Sequence, residues 1–182
     1  MKNYITYVLP FKSTFRQIAI NRRELALLEN LVISYLNVRD LNELRDRFEG
    51  QAFLDNYILK ALPLMGLQKY LKTDLVDFEN VLPDKIKSEI IIDGTAVNVI
   101  QFGNLLPLIE TSEKLPCIFI YSTQKQTLEL CGFASSETVK NYITDVKTYG
   151  FGSKETMKGF FYGFDKLKMF ESIEDLAQLV KQ

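Results

Sequence analysis

The chain has 182 residues, 47% of them hydrophobic and 25% charged, the composition of a globular protein long enough to bury a core without a disulfide or metal staple. Its 22 basic and 23 acidic side chains leave a net charge of -1, which excludes the strong overall field of a protein living on nucleic acid or anionic membrane. There is no histidine, so Ser-His-Asp and Cys-His catalysis, histidine-ligated zinc, haem ligation and histidine proton switches are excluded together.

The first ten residues, Met1 to Pro10, carry no long apolar stretch and no small-residue cleavage site, and no segment offers the roughly 20 apolar residues of a membrane helix. The expectation is a cytoplasmic protein with no membrane partner. Cys117 and Cys131 are too few for a disulfide framework and are not spaced as a CxxC pair, so reduced thiols are expected.

From Ser13 to Leu36 the apolar residues Phe15, Ile18, Ala19, Leu25, Leu28, Leu31, Val32, Tyr35 and Leu36 fall mostly three or four apart. That spacing predicts one amphipathic helix capped by Ser13. Asn37 to Phe48 reads as a short charged helix ended by Gly50. Gln51 to Leu71 reads as a third helix, kinked or split where Pro63 and Gly66 interrupt it.

From Lys87 onward β-branched runs replace the helical period. Ser88 to Ile92 and Ala96 to Phe102 flank Asp93-Gly94, a tight-hairpin signal, because both residues tolerate the positive φ of such a turn. Pro116 to Ser122 and Thr127 to Phe133 form a second hairpin. If Tyr121 faces Leu128 in it, Cys117 and Cys131 point to opposite faces, and this register is preferred because it puts Ile118 and Ile120 on one face. Ser135 caps a helix to about Val146, and residues 172–181 form a last one. The expected class is α+β in a single domain over 1–182. Its helical part, about 11–72, packs on one face of an antiparallel sheet of hairpins, about 86–170, and a C-terminal helix follows at about 172–181. Leu28, Leu31, Tyr57, Ile58, Ile118, Ile120, Leu128 and Leu130 are the expected core.

Two constellations carry chemistry. The acidic residues Asp74, Asp77, Glu79, Asp84, Glu89 and Asp93 concentrate oxygen ligands that suit magnesium, although a solvated acidic loop gives the same letters. The second is the stretch from Tyr149 to Phe170, where Tyr149, Phe151, Lys158, Phe160, Tyr162 and Phe164 interleave aromatic rings with lysine. Such a segment is a candidate binding surface, for a protein or for single-stranded nucleic acid, and a glycine-punctuated aromatic loop or edge strand packing onto the sheet explains the same letters and is preferred to a nucleic-acid site.

Five short stretches together resemble a cyanobacterial family of unknown function. They are Tyr7-Val8-Leu9-Pro10-Phe11, the helical segments Leu54 to Leu59 and Tyr70 to Leu75, and the hairpin of Cys117 to Tyr121 with Leu128 to Phe133. Members of that family carry a short Leu-Pro segment, helices ending near Thr-Asp-Leu, a strand with a Leu-Glu-Cys-Arg-Pro-like motif and a hairpin closing on Leu-Leu-Gly-Phe. The resemblance spans about residues 5–135 and implies architecture, not activity. Ala96 to Gln101 stands where the family has its charged stretch.

Pro83-Asp84 more loosely resembles the opening of the PD-(D/E)XK nuclease pattern. Asn98-Val99-Ile100 replaces the Glu-x-Lys that pattern requires, and the one Asp-x-Lys, Asp145-Val146-Lys147, falls in an expected helix. The alternative function is a magnesium-dependent nuclease or related phosphoryl-processing enzyme with a PD-(D/E)XK-like fold, using Asp84, Glu89, Asp145 and Lys147. The first reading is a non-enzymatic binding or regulatory module with no cofactor and a protein partner. Nine tyrosines and thirteen phenylalanines favour it, since aromatic anchors dominate protein interfaces.

Overall fold

A computed structural model describes residues 2–47, 49–110, 115–124, 127–144, 147–149 and 156–182. After helix α1 (Lys2–Tyr7) and a 3-10 turn at Leu9–Thr14, strand β1 (Arg16–Ala19) leads into helix α2 (Arg22–Tyr35). The single helix expected from Ser13 is thus a 3-10 end, a strand and a helix. The start of α2 is fixed by a capping box. The Glu24 amide donates to Asn21 Oδ1 at 2.9 Å, and the Asn21 amide donates back to Glu24 Oε2 at 2.7 Å. In β1 only Ile18 is buried, so the segment alternates as an edge strand does.

Asp40 caps the short helix α3 (Leu41–Asp46) by accepting from the Asn42 and Glu43 amides. Gly50 does not end that helix but opens α4 (Gly50–Leu71), where a β-carbon would collide with the Leu44 carbonyl. Helix α4 runs unbroken through Pro63, so the expected split is absent. It closes on Lys72 in the left-handed conformation.

Strands β2 (Glu89–Ile92) and β3 (Thr95–Phe102) form the expected hairpin, with Asp93 at φ 48° and Gly94 at φ 81° in its turn. A short strand β4 (Leu108–Glu110) precedes the second hairpin, β5 (Cys117–Gln124) and β6 (Thr127–Ala134). Helix α5 (Ser136–Asn141) stops short of the expected Val146, and Ile143 instead bridges to Phe161. Strands β7 (Lys147–Tyr149) and β8 (Thr156–Phe160) and helix α6 (Ile173–Val180) complete the described order.

The class is α+β. Five strands form one sheet in the order β1-β6-β5-β3-β2, and β4-β8-β7 form a second. Two features differ from a sheet of consecutive hairpins. β3 and β5 pair parallel, because the chain leaves the first sheet through β4 before returning as β5, and β1 joins the sheet from within the nominally helical segment.

One face of the large sheet carries Ile18, Ile90, Ile92, Val97, Val99, Ile118, Ile120, Leu128 and Leu130 against α2, α4 and α6. Of the eight expected core residues, seven are buried and Leu31 packs at the margin. The opposite face holds a second core of Phe102, Cys117, Phe119, Tyr121 and Cys131 with Ile109, Phe161 and Phe164.

The thiols therefore share one face, against the expected register. Tyr121 faces Glu129, Phe119 faces Gly132 and Cys117 faces Ala134, with irregularities that shift the register along the ladder. Such a shift changes which face each residue presents. Gly132 takes φ 131° where a β-carbon would meet the Lys168 carbonyl at 3.0 Å, as Phe133 and Lys168 exchange backbone hydrogen bonds of 2.8 and 2.9 Å.

Candidate interaction face

The small sheet is a lid on the second core, and glycine lets it sit close. A β-carbon on Gly159 would lie 2.6 Å from Ile143 Cγ1, so only glycine allows β8 to press onto that side chain. The next residue is held at both backbone groups. The Phe160 amide donates to Thr144 Oγ1 at 2.9 Å, and its carbonyl accepts from the Thr144 amide at 2.9 Å. Phe161 then donates to the Pro107 carbonyl at 3.0 Å and drops into the core, its ring stacked 4.5 Å from that of Phe119.

Because strand side chains alternate, Phe161 inside leaves Phe160 outside. Phe160 faces Leu108 directly across the ladder, and the two are 40% and 43% exposed while their neighbour Ile109 is buried. Leu105, three residues before Leu108, is 68% exposed. A cross-strand aromatic–aliphatic pair in water, fixed by backbone bonds, with a further exposed leucine three residues earlier in the chain, is the arrangement expected of an interface anchor.

The six residues expected to bind divide here. Phe160 is exposed. Tyr162 is half-buried between Tyr7 and Tyr142, with ring centroids 5.5 and 5.9 Å away. Phe164 belongs to the core, against Phe102, Phe119 and Phe161. Tyr149 ends β7 and Lys158 lies in β8, where the register sets Lys158 opposite both Lys147 and Glu110. Phe151 lies outside the described residues. Leu105 and Leu108 were not singled out from sequence. Their signal is the apolar run Leu105-Leu106-Pro107-Leu108-Ile109, which no helix or hairpin absorbs.

The three described residues of the nuclease alternative lie on separate elements. Asp84 sits on a 3-10 turn at Pro83–Lys85, and its carboxyl is held below the usual carboxylate range by the Lys85 ammonium at 3.0 Å and by the Tyr35 hydroxyl. Glu89 lies on β2, 3.2 Å from Lys87. Lys147 begins β7 in the other sheet, and Asp145 lies outside the described residues. Asp77 is engaged by Asn80 and Glu79, Asp74 by Gln68, and Asp93 by Lys181 at 2.8 Å. Among the described residues no three histidine, cysteine, aspartate or glutamate side chains are grouped to hold a metal ion. Among them, too, no helix is long and apolar enough to cross a membrane.

No family model matches the sequence. Neither the curated proteins nor the solved structures offer a match.

Proposed function

We propose that this chain is a non-enzymatic binding module that takes a protein partner on the outer face of its small sheet. The observation that carries the reading is the exposed cross-strand pair of Leu108 and Phe160, locked in place through Thr144 and extended by Leu105. Fully burying an exposed side chain of this kind contributes roughly 1.5–3 kcal/mol, and these three, already partly covered, contribute the fraction that matches their remaining exposure. Together they supply the apolar centre of an interface whose rim must come from polar contacts around it. The partner best suited offers an apolar segment to this ridge, and its binding needs neither metal nor cofactor.

The test is capture of partners from the source cells by wild type, by Phe160→Ser and Leu105→Ser, and by Leu82→Ser, which removes an exposed leucine elsewhere. A protein held by wild type and Leu82→Ser but lost from the other two supports the reading. Equal capture by all four, or capture of nothing, counts against it. Single-stranded oligonucleotides run in parallel distinguish the nucleic-acid alternative, since stacking on Phe160 makes their binding sensitive to the same substitution.

A further inference from the structure

The large sheet has two edges, and they are treated differently. At β1 the outer strand begins with Arg16 and Gln17 in water, and the Lys69 ammonium donates to the Ala19 carbonyl at 2.8 Å. That edge is blunted by charge. At β2 the outer strand is Glu89-Ile90-Ile91-Ile92, with no proline and a regular register to β3, and Ile91 is 63% exposed.

The direction of the free hydrogen-bonding groups follows from the turn. In a two-residue hairpin the residues flanking the turn bond each other, so Ile92 and Thr95 exchange bonds, and every second residue back along β2 does the same with β3. The Val99 amide donating to the Ser88 carbonyl at 2.8 Å continues that alternation. Ser88, Ile90 and Ile92 therefore turn their backbone groups inward, while Glu89 and Ile91 turn theirs outward. Among the described residues no further backbone hydrogen bond reaches Glu89 or Ile91.

We infer that this edge pairs with the same edge of a second copy of the chain, antiparallel about a twofold axis, so that the two large sheets become one. The charges choose the register. With the axis at Ile90, Glu89 of one copy meets Ile91 of the other and each such pair exchanges two hydrogen bonds, while Lys87 comes opposite Asp93 of the second copy. With the axis at Ile91, Glu89 would stand opposite Asp93 of the second copy, carboxylate against carboxylate. Lys87 and Asp93 keep 76% and 50% of their side chains exposed in one copy while pairing with Glu89 and Lys181, which leaves each accessible to a second partner.

The same axis sets Ile91 opposite Glu89 of the second copy on the outer face, where the stem of that side chain covers part of it. Helix α6 lies over β2 on the inner side, with Leu179 and Val180 half-buried near its end, so the twofold also brings these two helices toward each other. The strand contact is short. It falls below the ~1,200–2,000 Å² of a stable assembly, so dimerisation is expected at roughly 10–100 µM.

Sedimentation velocity of the full chain across that concentration range tests the inference, together with hydrogen exchange of individual amides. The expected result is a monomer–dimer equilibrium in which the Glu89 and Ile91 amides become protected as concentration rises. Ile91→Lys and the strand-preserving Ile91→Thr should each weaken it by about tenfold or more, and Lys87→Glu should weaken it as well. Phe160→Ser should leave it unchanged, which separates this edge from the small-sheet face. A chain that stays monomeric to about ten times the upper concentration overturns the inference. So does a dimer indifferent to Ile91→Lys, one abolished by Phe160→Ser, or one whose Glu89 and Ile91 amides stay open to exchange.

Discussion

Gly66 and Leu128 meet where α4 crosses β6: a β-carbon on Gly66 would lie 2.5 Å from Leu128 Cδ1. Leu128 is fully buried, with Ile18 and Ile20 close by, so its methyl has little room to withdraw. In an exposed helix, glycine to alanine stabilises by about 1 kcal/mol. Here overpacking of about 1–3 kcal/mol opposes that gain. Gly66→Ala is expected to lower stability, and the loss should shrink when Leu128→Ala is combined with it. Urea denaturation of the two single variants and the double variant reads the coupling directly, and simple additivity would show that the close approach is not felt.

Helix α2 offers a second test, at its start. Asn21→Ala removes the acceptor for the Glu24 amide and is expected to cost about 1 kcal/mol. Ser13→Ala should cost nothing comparable, since the residue lies in the 3-10 turn before β1. Glu24 also binds Lys69 at 2.9 Å, so Glu24→Gln should lose part of the box and the tie to α4. Thermal unfolding of these three variants ranks the two residues as caps, and an equal loss at Ser13 would contradict the assignment.

That cap shows where the sequence was legible and where it misled. Asn21 and Glu24 carry the capping-box spacing, but Phe15, Ile18 and Ala19 continue the helical spacing upstream and mask the boundary. A four-residue strand is too short for its own period to compete with a neighbouring helix, and β1 pairs with β6, more than a hundred residues away. The two hairpins were readable because each is local. Asp93-Gly94 fixes the first by its turn geometry, and alternation fixes the second. The register beyond Ile120 was not readable. It depends on an irregularity at Cys131–Gly132 that the bridge to Lys168 accompanies, and no local signal announces a partner so far along the chain. Likewise, the aromatic stretch announced itself by composition, yet only the ladder separates Phe160 outside from Phe161 and Phe164 inside.

That separation predicts opposite responses within one short segment. Phe164→Ala should cost about 3–5 kcal/mol, because the ring is buried against Phe102, Phe119 and Phe161. Phe160→Ser should change stability by no more than about 1 kcal/mol, its ring being 40% exposed and its backbone bonds to Thr144 independent of the side chain. Chemical denaturation of both variants decides it. A large loss at Phe160 would mean that the ring is a packing element, and the proposed partner face would lose its central anchor.

The cysteines give a pH dependence with a definite sign. Burial pushes the Cys117 thiol up to about 12, and burial raises Cys131 as well. In the unfolded chain a thiol titrates near ~8.5. Between about pH 8.5 and 12 the unfolded state therefore binds fewer protons than the folded one, and stability falls as pH rises. The contribution is whole below about pH 8.5 and is lost towards 12, at up to about 1.4 kcal/mol per pH unit for each thiol. Lysines and tyrosines titrate in the same window, so the informative quantity is the difference from Cys117→Ala. That variant should be less stable at pH 8, yet its urea midpoint should fall less steeply between pH 8.5 and 10.5 than that of the wild type. At pH 8 both thiols of the folded protein should resist a thiol reagent, and two should react after denaturation, because the thiolate is the reactive form and the core suppresses it. Parallel pH slopes for wild type and Cys117→Ala, or prompt labelling of the native protein, would place the thiols nearer to solvent than the second core allows.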